Sequence, residues 1–129
     1  MLLPLRHPRV WLLIGWLLVV LAITASLLPG QRLPPTGVND KLEHMAAYTV
    51  LALWFAGIYP RSRYVALAVA LFLMGVVVEF AQGAMHLGRE RDLRDVIANS
   101  AGISLGLSIA VLRLGGWAQR LEAWAARKP

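Results

Sequence analysis

The chain has 129 residues, enough for one domain; 58% of them are hydrophobic and 16% charged, an apolar balance that a small soluble domain has no room to bury. It has no cysteine, which excludes thiolate chemistry. The formal net charge of +6 does not point to nucleic acid, because the basic residues sit in short flanks of apolar runs rather than on a stripe or patch.

Four runs approach transmembrane length, and the first is Val10 to Leu28. Arg6 and Arg9 precede it and Thr24-Ala25-Ser26 lies near its end, the outline of a signal peptide. Its apolar stretch exceeds the roughly 7 to 15 residues of a signal core, so it is expected to stay as an anchor. The connection from Pro29 to Asn39 carries Pro29, Pro34, Pro35, Gly30 and Gly37 and is expected to be irregular and stiff. The second run, Leu42 to Tyr59, and the third, Tyr64 to Ala81, flank the short segment Pro60 to Arg63, which predicts an antiparallel hairpin. A charged loop from about Gly83 to Arg94 leads into the fourth run, Val96 to Leu112. A helix needs roughly 20 residues to cross the hydrocarbon core, and backbone groups in lipid must be satisfied within each segment. Beyond Gly115, Trp117, Leu121 and Trp124 recur at i, i+4 and i+7, with Arg120, Arg127 and Lys128 beside them. That pattern predicts a short amphipathic helix on the membrane surface.

Orientation follows from the basic residues. Arg6, Arg9, Arg61, Arg63, Arg113, Arg120, Arg127 and Lys128 fall on one side; Arg32, Lys41, Arg89, Arg91 and Arg94 fall on the other. The richer side is expected to be cytoplasmic. Trp11, Trp54, Tyr59, Tyr64, Trp117 and Trp124 fall on that side too, where rings anchor helices at the interface. The expectation is therefore a single all-α domain over residues 1–129, with four transmembrane helices, both termini cytoplasmic, and an amphipathic cytoplasmic tail over 115–127. It would reside in the inner or plasma membrane.

Six of the seven acids, Asp40, Glu43, Glu79, Glu90, Asp92 and Asp95, lie on the outer side. Asp40, His44 and Tyr48 are four apart and line one helix face. Glu79 and Gln82 are three apart near the end of the third run, and Asp92, Asp95 and Asn99 follow at i, i+3 and i+7 in the fourth. Glu79 and Asn99 fall about a turn inside their spans, where an ionisable group is costly, faces inward and pairs. Ala98, Gly102, Gly106 and Ala110 form a small-residue stripe suited to close helix packing, expected within the bundle more than between copies. Ser100, Ser104 and Ser108 lie beside it. His7 and His86 have no partner that spacing identifies.

These residues carry a resemblance. Asp40-Lys41-x-x-His44-x-x-x-Tyr48, Glu79-x-x-Gln82, Gly88-Arg89 and Asp95-Val96-Ile97-Ala98-Asn99-x-x-Gly102 resemble, in order and spacing, the VanZ-like family over about residues 38 to 112. The resemblance implies a small multi-pass membrane protein; the family takes its name from a teicoplanin-resistance accessory protein. It implies no particular reaction.

Three functions compete on the residues, and a fourth, ion or solute transport, lacks an acidic relay in the cytoplasmic half of the helices. In the first, an extracytoplasmic site binds a lipid head group, a lipid-linked cell-wall intermediate or a peptide carboxylate. Asp40, Lys41, His44, Tyr48, Glu79, Gln82, Arg89, Arg91, Asp92, Asp95 and Asn99 would form it, with arginine forks suited to phosphate or carboxylate. In the second, the protein is an intramembrane hydrolase or transferase using His44, Glu79 and Asp95 for general acid/base work. There is no HExxH signature and no Gly-rich phosphate loop. The first reading names no cofactor and no metal; under the second, a divalent ion on Asp40, His44, Glu79 and Asp95 is an option. In the third, the cluster only pins helix ends.

Overall fold

The structure is a computed structural model, and it describes residues 1–28, 37, 39–85 and 92–127. They are helical: α1 (Pro8–Leu27), α2 (Asp40–Ile58), α3 (Tyr64–Met85), α4 (Leu93–Ile109) and α5 (Trp117–Ala125), with no strand among the described residues. A 3-10 turn, Arg61–Arg63, joins α2 to α3, and a π turn, Ala110–Leu114, continues α4.

Local chemistry explains the helix starts. Pro8 sits at the first turn of α1, where a missing N–H leaves nothing unpaired. The Asn39 side chain accepts the Lys41 amide, and Asp40 and Glu43 occupy the first turn of α2. Asp92 does the same for α4 by accepting the Arg94 amide, with Asp95 in the first turn. Acids at a helix N-terminus cap free amides and answer the positive end of the dipole. The acidic residues thus open α2 and α4 at the same end of the molecule. Asp92 starts α4 at Leu93 rather than Val96, and α3 runs on to Met85. Glu79 therefore lies well inside α3 rather than in its final turn.

α2 is the central helix. Leu51, Ala52, Ala56 and Ile58 are buried against its neighbours. α1 and α3 instead turn large apolar side chains outward, among them Leu13, Trp16, Leu21, Val69, Leu73 and Val77. Three segments are long and apolar enough to cross a membrane: Pro8–Leu27, Arg61–Met85 and Leu93–Leu114. α2, with Asp40, Lys41, Glu43 and His44 in its opening turns, is not among them.

α4 lies closest to α2 through its small residues. A Cβ on Gly102 would overlap the Met45 carbonyl, and one on Gly106 would come within 2.7 Å of the Thr49 carbonyl oxygen. The Thr49 hydroxyl contacts both the Gly102 carbonyl at 3.1 Å and the Met45 carbonyl at 2.7 Å. Ser100 bonds back to the Val96 carbonyl in its own helix at 2.7 Å.

At the basic end the aromatic rings also pack between helices. Trp11, Trp54 and Trp117 pack on one another, with ring centroids 5.2 to 5.6 Å apart. The Trp117 indole donates to the Leu53 carbonyl at 2.9 Å, over Gly57, where a side chain would collide with that ring. Tyr64 is buried, and its hydroxyl donates to the Ala56 carbonyl at 3.1 Å. Gly116 takes φ 68° between the π turn and α5, and its amide donates to the same Ala56 oxygen. The stripe expected on α5 therefore splits: Trp117 docks on α2, while Leu121 and Trp124 stay exposed.

Glu122 closes this end. Its carboxylate accepts the Arg6 amide at 2.6 Å, the His7 amide at 3.0 Å and the Trp11 indole N–H at 2.8 Å. Partial desolvation opposes the charge, but these donors outweigh it and hold the carboxyl below its ordinary value. A depressed pKa stabilises the fold above the ordinary glutamate value and loses that contribution as pH falls through the lowered one. Acidification is therefore expected to release the Arg6 and His7 amides first, seen as faster hydrogen exchange there while α2 stays protected. Unchanged exchange at those amides after Glu122 protonates would contradict the assignment.

Candidate functional site

Three helices meet at the acidic end. α2 brings His44 and Tyr48, α3 brings Glu79 and Gln82, and α4 brings Asp95 and Asn99; all six are buried. Glu79 is 1% exposed and Asn99 2%. Groups of this kind so far from water must be paired or poised for use.

His44 lies at the centre. Its Nδ1 is 3.0 Å from Asn99 Oδ1. An amide oxygen only accepts, so this contact places a ring proton on Nδ1, and in the neutral ring Nε2 is then the acceptor. Nε2 faces Asp95 Oδ2 at 3.9 Å. The other oxygen of Asp95 pairs with the Lys41 ammonium, which also meets Asp92 at 2.8 Å and Asp40 at 3.8 Å. The Lys41 hydrogen bond, aided by the Arg94 amide, holds the Asp92 carboxyl below its ordinary value. The Asp92 amide in turn donates to Glu79 Oε2 at 3.3 Å, so the start of α4 is tied to α2 and α3 together.

Some buried atoms lack a partner. Glu79 Oε1, Gln82 Oε1 and Asn99 Nδ2 make no hydrogen bond, although Gln82 Nε2 donates to the Ser26 carbonyl on α1 at 2.7 Å. A cavity of about 100 Å³ opens beside His44, lined by Ala22, Ala25 and Ser26 of α1 and by Asp40 and Glu43 of α2.

The structure brings together Lys41, His44, Tyr48, Glu79, Gln82, Asp92, Asp95 and Asn99, and places Asp40 at the exposed rim. Arg89 and Arg91, with Gly88, lie outside the described residues. Two contributors were missing from the sequence reading. Ser26 offers only a backbone carbonyl, which leaves no mark in a sequence. Gly75 makes room for the cluster: a Cβ there would lie 3.1 Å from Asn99 Nδ2 and 3.2 Å from the Tyr48 hydroxyl. Its position four residues before Glu79, on the same helix face, was the available signal.

No protein-family model and no solved structure matches the chain. It is similar to an uncharacterized protein of Schizosaccharomyces pombe, C11E3.10, with 32% identity over 98 residues, 73% of this chain and 60% of that protein. The chain thus spans less than two thirds of the relative that it matches.

Proposed function

We propose that the protein is a cell-envelope membrane protein of VanZ-like type, with α2 as a fourth span and both termini cytoplasmic. Its acidic end would be an extracytoplasmic site for a polar group of a membrane lipid or lipid-linked envelope precursor. A lipid head group, a lipid-linked cell-wall intermediate and a peptide carboxylate share the anionic chemistry in question, and occupancy of the site would influence glycopeptide susceptibility. The family reading rests on the residues that carry the resemblance, and the excess of basic residues in the opposite flanks, eight against five in the sequence, supports the orientation.

One observation carries the functional reading: acidic, amide and imidazole side chains from three helices are buried together, with Glu79, Gln82 and Asn99 each keeping an atom unpaired. A cluster that served packing alone would have its buried atoms satisfied. A second reading, a hydrolase or transferase on the same class of lipid, draws support from the 3.9 Å gap between His44 Nε2 and Asp95 Oδ2, which suits proton transfer through one water.

Native mass spectrometry of protein extracted with its lipids tests the proposal. Wild type should retain one lipid or lipid-linked species, and Asp95→Asn, which weakens the hold on the Lys41 ammonium, should lower its occupancy about tenfold. Equal retention by both, or none by wild type, would defeat it. Turnover of the retained species by purified protein would move the case to the second reading.

A further inference from the structure

We infer that Asp40, His44 and Asp95 bind one divalent first-row transition-metal ion, with Asn99 positioning the imidazole. The inference rests on the site proposed above and supplies what that site needs to take an anionic group.

The donor atoms are already gathered. One ligand atom from each of Asp40, His44 and Asp95 lies within 4.8 Å of the others. Two donors about 2.1 Å from a shared ion lie up to about 4.2 Å apart, and His44 Nε2 and Asp95 Oδ2 stand at 3.9 Å. Neither of these two atoms carries a proton to offer the other when Nδ1 holds the ring hydrogen. They form an acceptor pair that a cation satisfies.

The surroundings fit a metal site. A ligating histidine generally gives its second ring N–H to an oxygen that fixes the tautomer, and Asn99 Oδ1 takes that role at 3.0 Å. Lys41 engages the far oxygen of Asp95 and leaves Oδ2 turned towards His44. Glu79 provides an independent sign: it is 1% exposed, its Oε1 is unpartnered, and its Oε2 accepts the amide of Asp92, whose carboxylate shares Lys41 with Asp95. A buried carboxyl group with a bare oxygen is costly unless a donor or a positive charge meets it. One imidazole with carboxylates suits Mn²⁺, Fe²⁺ or Zn²⁺. Three protein ligands leave coordination positions open, through which the ion would hold a phosphate or carboxylate oxygen.

The test uses full-length protein in detergent, stripped with a chelator and titrated with Mn²⁺ under electron paramagnetic resonance. Wild type should take up one ion per chain and show nitrogen coupling from His44. Asp40→Asn, at an exposed position, and His44→Ala should each weaken binding at least about tenfold, and Asn99→Ala by about 10 to 100-fold. Asn99→Asp, which restores an acceptor for Nδ1–H, should recover the affinity and the nitrogen coupling. Absence of Mn²⁺ uptake by wild type, or wild-type affinity in Asp40→Asn and His44→Ala, would overturn the inference. Lipid retention without Mn²⁺ uptake would overturn the metal alone; Mn²⁺ uptake without lipid would overturn the lipid reading alone.

Discussion

Gly102→Val is expected to force α4 away from α2 and abolish the folded bundle at moderate temperature. Even the first carbon of a side chain would overlap the Met45 carbonyl. That oxygen belongs to the backbone of the most buried helix, so it cannot rotate clear. Overpacking ordinarily costs about 1 to 3 kcal/mol when side chains can adjust. Here the helices themselves must part, and a loss of at least about 3 kcal/mol, or about 10 °C in melting temperature, is the expectation. The same displacement would take Asp95 and Asn99 away from His44, so Mn²⁺ uptake should vanish with it. Ala101→Val is the control: Ala101 is exposed, and surface changes usually stay within about 0.5 kcal/mol. Equal melting of Gly102→Val and wild type would mean that α2 and α4 are not in close contact.

Asp95→Ala should have the second largest effect. It leaves Lys41 with Asp92 and a more distant Asp40, and leaves His44 Nε2 facing a void. Breaking a fully buried pair costs about 3 to 5 kcal/mol. Lys41 is about one third exposed and keeps a second carboxylate, so water screens part of that loss and about 2 kcal/mol is expected. Asp95→Asn should recover most of the stability, because it keeps the shape and an oxygen for Lys41, yet still lose metal and lipid. A stable Asp95→Asn that binds both as wild type would show that the charge at 95 is dispensable. Thermal melting and the Mn²⁺ titration separate the two effects.

Much of this site was legible because helical spacing alone sets its parts. Asp40, His44 and Tyr48 at intervals of four, and Asp92, Asp95 and Asn99 at i, i+3 and i+7, had to share faces once the segments were helical. The acids at 40, 92 and 95, expected on one side of the membrane, lie at or next to the starts of α2 and α4, which do share one end. Pairings between helices were not legible. Periodicity could not say that Asn99 would meet the histidine, or that Lys41 would gather three aspartates. The packing of the tryptophans at the other end was not legible for a similar reason: a ring facing outward and a ring docked on a neighbouring helix have the same sequence pattern. Only Gly57, bare beneath Trp117, distinguishes the two, and a single glycine in an apolar run has many explanations. The central place of α2 was hidden too, since its apolar run is of the same kind as the other three.

The Glu122 clasp joins residues 116 apart in the chain, and this orders events during synthesis. α1 is made well before α5, yet α5 supplies the carboxylate that fastens its leading turn. Until α5 emerges, the N-terminal stretch lacks Glu122 and is held to α2 through the Leu3 amide on the Ile58 carbonyl and the Trp54 indole on the Trp11 carbonyl. The bundle is in this sense a belt buckled from its tail, and trimming those final turns would loosen the opposite end of the polypeptide.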